Sequence, residues 1–207
     1  MERMDQARRV GGGVWVVLGA ALMLGWALTA PPDGPNAVTW LVAATVVSGT
    51  VVAFRAATPR RRWWGARVAG AVIGLELVGA VGDRFGLLGP PGAPMVSWGD
   101  WAHFKVETAE LVPWDSLVQP AAVTATVAEL ALGTLLVLGL LRRAVGKATA
   151  GLFAVYLIAM VPGMGATSVL EYAVPVLIGG ALVTSARGRR PDPTTRPAAE
   201  RSPQPVA

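Results

Sequence analysis

The chain has 207 residues, 53% of them hydrophobic and 15% charged, and a mean hydropathy of +0.51, which excludes an ordinary soluble globular protein and indicates an integral membrane protein. Its formal charge of +5 does not indicate nucleic-acid binding, because the basic residues lie between apolar stretches rather than in one patch. It has no cysteine and one histidine, which excludes disulfides, thiolate metal sites, thiol redox chemistry and a haem held by two histidines of one chain.

The first predicted element is an apolar run from Val10 to Ala30 that follows a charged segment. A signal peptide has the same order, but its apolar region is only ~7–15 residues long. This run has about 20 residues, enough to span ~30 Å of hydrocarbon, and Pro31 follows the candidate cleavage point. We therefore expect an uncleaved transmembrane helix.

Six apolar runs of this kind predict an all-α fold, an integral membrane bundle of six transmembrane helices. They cover Val10–Ala30, Ala37–Ala57, Val68–Val81, Pro120–Leu141, Ala148–Val161 and Ala166–Ala186. Helices are expected rather than barrel strands, because the runs are long and do not alternate, and every backbone polar group in hydrocarbon must be paired within the protein. The third and fifth runs are short, which leaves their boundaries open by several residues.

The distribution of basic residues predicts the side of the membrane on which each loop lies. Lys and Arg are retained on the cytoplasmic side of short loops. In a six-span topology, all of the 18 basic residues except Arg84 and Lys105 fall on one side. Both termini are therefore expected in the cytoplasm, and residues 82–119 form one long loop on the outer face.

This outer loop is acidic and rich in tryptophan. Trp98, Trp101, Phe104 and Leu111 recur at helical spacings, which predicts an amphipathic helix lying in the membrane interface. Trp favours the headgroup layer, so anchoring alone accounts for Trp98, Trp101 and Trp114. A lid over a site beneath the loop is the functional alternative.

Three acidic residues, Glu76, Glu129 and Glu171, lie within the predicted spans. A charged side chain at the bilayer centre costs roughly 2.5–3.5 kcal/mol on insertion scales, so each acid needs a partner or a function. In the functional interpretation, Glu76 and Glu129 face the bundle interior and bind a lipid-soluble head group or handle protons. In the structural interpretation, a protonated Glu bonds a carbonyl or hydroxyl of a neighbouring helix. For Glu171, near the outer end of its helix, contact with interfacial water suffices.

A second candidate site lies in the predicted interfacial helix. Asp100 and Glu107 stand three residues before and four residues after His103, so one helical face can present two carboxylates around an imidazole. The paired-histidine spacing of zinc helices is missing, so no metal site is predicted. A histidine tuned by carboxylates to exchange protons is the functional interpretation, and a solvated helix face is the structural one. The sequence also lacks phosphate-binding glycine loops and nucleophile elbows, so no catalytic residue is predicted.

Three stretches carry a resemblance to a known family. DRFGLLGPPGAPMVSWGDWAHF with TAELVPW, VAELALGTLLVLGLLRR, and LEYAVPVLIGGALV are similar, in turn, to a long loop, a Glu-containing helix with a basic turn, and a last helix. From about Trp63 onward the chain resembles the DoxX family of small bacterial membrane proteins, in the members whose first helix is followed by a long loop. The resemblance implies a four-helix bundle over residues 63–186, to which residues 1–62 add a transmembrane hairpin. Residues 187–207, rich in Pro and Arg, predict a disordered cytoplasmic tail.

The resemblance also implies a functional setting, namely the membrane oxidoreductase systems of the bacterial plasma membrane, including quinone-linked thiosulfate oxidation and oxidative-stress complexes. Because the sequence offers no electron-carrying group, our leading hypothesis is a non-redox-active accessory subunit of a quinone-linked assembly. It would provide a quinone-like or proton-handling site. The candidate site residues are Glu76, Glu129, His103, Asp100 and Glu107. The expected partners are the lipid bilayer, oxidoreductase subunits and a second copy of the chain, and the alternatives are a small proton-coupled transporter and a non-catalytic scaffold.

Overall fold

The computed structural model describes residues 2–29 and 37–186, and every regular element in these ranges is an α-helix. The eight helices of these ranges are α1 (Glu2–Thr29), α2 (Ala37–Arg55), α3 (Pro59–Arg84), α4 (Trp101–Leu111), α5 (Asp115–Leu138), α6 (Arg142–Gly163), α7 (Ala166–Glu171) and α8 (Val174–Ser185). Five of them, α1, α2, α3, α5 and α6, are long and apolar enough to cross a membrane. The all-α expectation is confirmed, and the helices are compatible with a membrane-embedded bundle. The predicted tail, residues 187–207, lies outside the described residues.

The helices observed at the third and fifth predicted spans, α3 and α6, are longer than the apolar runs from which those spans were predicted. α3 begins at Pro59 rather than at Val68, because proline fits the first turn of a helix and the Thr58 hydroxyl accepts a backbone N–H there. It continues to Arg84, whose side chain is buried. α6 likewise begins at Arg142, before its apolar run. The apolar runs therefore marked only the middle of each helix.

The structure divides the sixth predicted span, residues 166–186, into two helices, which corrects the expectation of one continuous helix. α7 ends at Glu171 and α8 begins at Val174, with Ala173 at φ +51° between them. Pro175 explains the break, because inside a continuous helix it would donate no N–H to the Glu171 carbonyl and its ring would clash with that carbonyl. α8 alone has 12 residues, or ~18 Å at 1.5 Å per residue, which is shorter than the ~30 Å of hydrocarbon.

Glycines set the closest approaches between helices. The Gly70-x-x-x-Gly74 pattern favours close packing without showing whether the partner lies in the same chain. A Cβ atom on Gly70 would lie 2.7 Å from the Thr184 side chain of α8, and one on Gly74 would lie 2.6 Å from the Gly133 carbonyl oxygen of α5. Both glycines therefore pack inside the bundle. α1 packs mainly along α8 and α2 along α3, so the two N-terminal helices contact the rest of the bundle more than each other.

The two ends of the bundle differ in charge. At one end, which we call the basic end, Arg9 donates to the Ala53 carbonyl at 2.6 Å and Arg67 donates to the Leu136 carbonyl at 3.1 Å. Both arginines thereby join the end of one helix to the end of another. The opposite end, which we call the Arg84 end, holds the end of α3, the short helix α4 and the break between α7 and α8. The candidate site lies at this end.

Candidate functional site

A buried ion pair joins α3 to α5 at the Arg84 end. Nη2 of Arg84 lies 2.6 Å from Oε2 of Glu129, and the two side chains are only 3% and 2% exposed. This contact is an ion pair but not a hydrogen bond, because Oε2 of Glu129 does not meet the geometry of a hydrogen-bond acceptor. Nη1 of Arg84 donates to the Thr126 hydroxyl at 2.9 Å, and the Tyr156 hydroxyl of α6 donates to Oε1 of Glu129. Nε of Arg84 is buried and has no hydrogen-bond partner among the described residues.

The packing of α3 on α5 sets the register of this pair. Gly74 and Gly133 approach so closely that a Cβ atom on either would lie within 2.8 Å of the other's carbonyl oxygen. The helices run antiparallel from this contact, so that residues after Gly74 meet residues before Gly133. Glu129 lies about one turn before Gly133, where its side chain enters the bundle. Arg84 lies at the end of α3, and its long side chain reaches Glu129 from there.

Two aromatic rings cover the guanidinium of Arg84. Its Cζ lies 3.8 Å from the centre of the Phe104 ring and 5.0 Å from the centre of the Trp98 ring. The two rings pack edge to face with their centres 5.1 Å apart. Cation–π contacts of this kind are strongest where water is excluded, as it is here. Trp98, which is half-buried, therefore packs against the site, whereas Trp114 is exposed. Anchoring of the loop in the membrane interface stays a prediction.

The carboxylate of Asp83 holds the chain that leads into α4. It accepts the backbone N–H groups of Ser97 at 2.9 Å, Trp98 at 3.0 Å and Gly99 at 3.3 Å. Gly99 has φ +70°, and a Cβ atom there would collide with the backbone of Pro91, so only glycine fits. Asp83 thus fixes the segment that carries Trp98. The Trp98 ring in turn lies against Arg84, which directly follows Asp83 in α3.

Glu107 of α4 forms a second polar layer beyond the rings. Its Oε2 accepts the indole N–H of Trp98 at 2.5 Å, and its Oε1 accepts the Tyr172 hydroxyl at 3.3 Å. Burial raises the pKa of Glu107, and the hydrogen bonds from Trp98 and Tyr172 oppose that rise. Tyr172 lies at the break between α7 and α8, so Glu107 joins α4 to that break.

Asp100 and His103 lie together on the surface of α4. The Asp100 carboxylate accepts the His103 backbone N–H at 2.8 Å and lies 2.9 Å from Nδ1 of the ring, and the side chains are 45% and 60% exposed. The first of these contacts is a helix N-cap, and it is the main reason that the pKa of Asp100 is lowered. Glu107 contacts Trp98 and Tyr172 instead of His103. The predicted pair of carboxylates around the imidazole is therefore reduced to Asp100 alone.

Glu76 lies on another face of α3. It follows Ala69 by two turns and shares its face, and Ala69 packs against Gly49 of α2. Relative to Arg84, Glu76 is ~12 Å away along the helix axis and roughly 80° around it. The side chain is half-buried and has no hydrogen bond or ion pair with another described residue. The structure thus brings Glu129 and Glu107 to the Arg84 end, whereas Glu76 lies on the face of α3 that it shares with Ala69.

Arg84 was missing from the predicted site, although the sequence contains a signal for it. Arg84 is one of only two basic residues that the charge distribution assigns to the outer side, and it lies three residues after the end of the predicted span Val68–Val81. Tyr156 was also missing as a site residue, because an aromatic residue in an apolar helix is ordinarily part of the core. Phe104 was predicted only as part of the apolar face of the interfacial helix. Glu129 was predicted correctly as a buried acid, but its partner is a charged arginine rather than a carbonyl or hydroxyl alone.

These residues, which we call the Arg84 cluster (Arg84, Glu129, Thr126, Tyr156, Phe104 and Trp98), combine charges that cancel with several hydrogen-bonding groups. Arg84 and Glu129 already neutralise each other. The cluster therefore suits a neutral polar molecule better than an ion, because the charge of a bound ion would have no opposite charge to pair with. Comparison with protein families, with curated proteins and with solved structures finds no match for this chain.

Proposed function

We propose that the chain crosses the bacterial plasma membrane six times, with the basic end and both termini in the cytoplasm. In this topology α7 and α8 together form the last crossing, and the Arg84 end faces outwards. The positive-inside rule supports the orientation, because arginines are concentrated at the basic end. The shortness of α8 is compatible with the proposal, since its polar break is covered by protein through Tyr172 and Glu107.

The cysteine-free sequence makes this topology easy to test. Ala102→Cys and Lys147→Cys place single thiols at exposed positions of α4 and of the basic end of α6. A membrane-impermeant maleimide added to intact cells should label the Ala102→Cys protein, and should label the Lys147→Cys protein only after permeabilisation. The opposite pattern would reverse the orientation.

Within that membrane, the proposed function is that of a small accessory subunit of a quinone-linked oxidoreductase assembly, of the DoxX type, without a redox group of its own. Its role is to bind a quinone-like ring at the Arg84 cluster. The observation that carries this proposal is the buried Arg84–Glu129 pair beneath Phe104 and Trp98. The resemblance to the DoxX family supports the same assignment.

Stability alone does not account for this ion pair. Removing two charges from water costs several kcal/mol per ion, and apolar residues of similar volume often replace a buried pair with no loss of stability, or with a gain of ~1–4 kcal/mol. Within the hydrocarbon of a membrane, a charged side chain carries a further free-energy cost, so such side chains are rare there. A membrane protein that keeps such a pair is therefore expected to use it, either in function or in fixing one arrangement of its helices.

The residues present fit a quinone-like ring. Nε of Arg84 is a buried donor without a hydrogen-bond partner among the described residues, and it suits a ring carbonyl oxygen that lies in the plane of the guanidinium, beside the face on which Phe104 packs. Tyr156 carries an exchangeable proton, which its hydroxyl donates to the Glu129 carboxylate next to Arg84. A quinone accepts two electrons and two protons to become a quinol, and with no thiol in this chain the electrons would come from a partner subunit. In this proposal, Arg84 binds the carbonyl, and the Tyr156 hydroxyl and the Glu129 carboxylate relay to the ring the two protons that accompany the two electrons.

Gentle purification of the tagged protein tests the proposal. The lipid extract should contain quinone in an amount comparable to that of the protein, and an oxidoreductase subunit should copurify. A tagged membrane protein of similar size from the same cells gives the background. If both quinone and an oxidoreductase partner stay at background, the proposed function is wrong and a scaffold becomes the better account.

One observation favours a second candidate, a small proton-coupled transporter. Discontinuous helices line the substrate sites of many transporters, and the α7–α8 break brings Tyr172 to Glu107. Proteoliposomes with a pH gradient would test this function. Uptake of a solute that collapses with the gradient, and that is lost in Glu107→Gln, would favour the transporter over the accessory subunit.

A further inference from the structure

Arg142, the first residue of α6, carries a half-buried guanidinium that lacks a counter-charge. Its Nε and Nη2 atoms are buried, and within the described ranges its side chain forms neither a hydrogen bond nor an ion pair. Its Cζ lies 5.4 Å from the centre of the Trp63 ring, which is a cation–π contact. Because a guanidinium keeps its charge, burying it in part without an anion costs free energy.

The two unpartnered nitrogens of Arg142 form one edge of its guanidinium. The N–H bonds of Nε and Nη2 run side by side along this edge, so they can donate to two oxygen atoms of one carboxylate or phosphate group. Among the residues that the structure describes, no carboxylate takes that place. The free edge of Arg142 is therefore suited to an anionic ligand with two adjacent oxygens.

The neighbouring charges also favour an anion. Arg67 of α3 lies close enough to Arg142 for the two charges to repel each other, and its own N–H groups donate to carbonyls at the end of α5. Arg143 and Arg8 lie 3.5 and 3.2 Å from the same carboxylate, that of Asp5. One carboxylate thus serves two arginines, and the start of α6 keeps an excess of positive charge.

The residues just before Arg142 are apolar and indicate the source of the anion. Leu138, Leu140 and Leu141, at the end of α5 and in the turn to α6, are exposed. In a membrane-embedded bundle, exposed leucines lie against acyl chains, and arginines at the helix ends lie at the depth of the headgroups. A phospholipid can contact both, whereas a free phosphate ion can contact only the arginine.

We propose that Arg142 binds the phosphate group of an anionic phospholipid in the leaflet next to the basic end, with Nε and Nη2 each donating to one phosphate oxygen. Because no hydrogen bond holds the side chain, rotation about its own bonds turns the covered edge towards the headgroups. A zwitterionic lipid binds less well, because its cationic group is repelled by the arginines. The site lies at the opposite end from the Arg84 cluster and does not depend on a quinone-like ligand.

The test is native mass spectrometry of the full-length protein in detergent, titrated with dioleoylphosphatidylglycerol, which is anionic. A parallel titration uses dioleoylphosphatidylcholine, which has the same acyl chains and a phosphate but no net charge. The Kd of the first bound phosphatidylglycerol should be about tenfold lower than that of phosphatidylcholine, in line with one charge-assisted bidentate contact. This comparison uses the unchanged protein and so does not depend on the folding of any variant.

Two substitutions then separate the Arg142 edge from its charge. Arg142→Gln removes both and should raise the Kd for phosphatidylglycerol about tenfold. Arg142→Lys keeps the charge but has no bidentate edge, and it should raise Kd at least about threefold. Arg60→Gln is the matched control, because it removes the same charge from an exposed position at the same end, and its Kd should stay within about twofold of the unchanged protein.

The outcomes distinguish this site from a general attraction of the basic end for anions. Equal Kd values of the two lipids for the unchanged protein would overturn the proposal. An equal rise in Kd for Arg142→Gln and Arg60→Gln would also overturn it, because the attraction would then belong to the whole basic end. Inorganic phosphate in large excess should leave the lipid bound, and displacement of the lipid would show that the ligand is a free phosphate ion instead.

Discussion

Replacing Glu129 by glutamine leaves the Arg84 charge buried without a counter-charge. The guanidinium cannot lose its proton, and its side chain is only 3% exposed. Removing one partner of a buried pair costs ~3–5 kcal/mol, and the amide oxygen recovers about 1 kcal/mol as a neutral hydrogen-bond acceptor, so we expect a loss of about 2–4 kcal/mol. At 2–4 °C per kcal/mol for a chain of this size, the unfolding midpoint should fall by roughly 5–15 °C.

Two assays are followed by tryptophan fluorescence on Glu129→Gln, Arg84→Gln and the double variant. Thermal unfolding in detergent gives the midpoint, and unfolding in mixed detergent–SDS micelles gives the free energies. Arg84→Gln should cost less than Glu129→Gln, because a carboxyl group can be protonated whereas the guanidinium stays charged. In the double variant both charges are absent, so its loss should be smaller than the sum of the single losses by about 2 kcal/mol or more. Glu110→Gln, an exposed position on α4, serves as the control and should stay within ±0.5 kcal/mol. Additive single losses would refute the account of the pair as a coupled unit.

Three further predictions follow from the contacts. Asp83→Asn weakens three backbone hydrogen bonds to residues 97–99, so hydrogen exchange at those amides should speed up about tenfold or more while exchange in the middle of α3 is unchanged. Gly74→Ala should destabilise the bundle by ~1–3 kcal/mol in the same micelle assay, because the new Cβ would lie 2.6 Å from the Gly133 carbonyl oxygen. Gly79→Ala is the control and should leave the stability unchanged, because no atom lies within 4 Å of its new Cβ. Because burial raises the pKa of Glu107 above 4.5, the folded protein gains stability from its protonation: that contribution is fully present below pH 4.5 and is lost as pH rises through the folded-state pKa. Thermal unfolding against pH should show this slope in the unchanged protein and lose it in Glu107→Gln; an unaltered slope would mean that another group titrates.

Much of the helical framework could be predicted from the sequence, because apolar runs of spanning length have one stable backbone solution in lipid. The helix within the Trp-rich segment was also predicted, and the structure confirms it as α4. The break before α8 was missed because the run from which the sixth span was predicted is apolar, and hydropathy does not reveal that proline lacks a backbone N–H. Pro175 was the signal for the break. The ends of α3 and α6 extend beyond their runs because polar residues continue a helix once it has started.

The site was predicted less completely, for a physical reason. A buried acid can be recognised within one helix, and Glu129 was. Its partner Arg84 lies 45 positions earlier in the sequence, and contacts between α3 and α5, among them the close approach of Gly74 to Gly133, set the register that brings the pair together. Glu76 has the same sequence signature as Glu129, but it lies on the face of α3 that it shares with Ala69, roughly 80° around the helix axis from Arg84. No pattern within one helix distinguishes these two acids.

The central claim is that the Arg84 cluster binds a neutral quinone-like ring. It is tested most directly by the amount of quinone retained per protein when the unchanged chain, Glu129→Gln and Glu171→Gln are purified in the same detergent and extracted for mass spectrometry. Glu171 is an exposed acid in the described structure, so it provides the matched substitution away from the cluster. The account predicts that Glu171→Gln retains quinone as the unchanged chain does and that Glu129→Gln loses most of it. Equal retention in all three proteins would contradict the claim, because the ligand would then bind elsewhere.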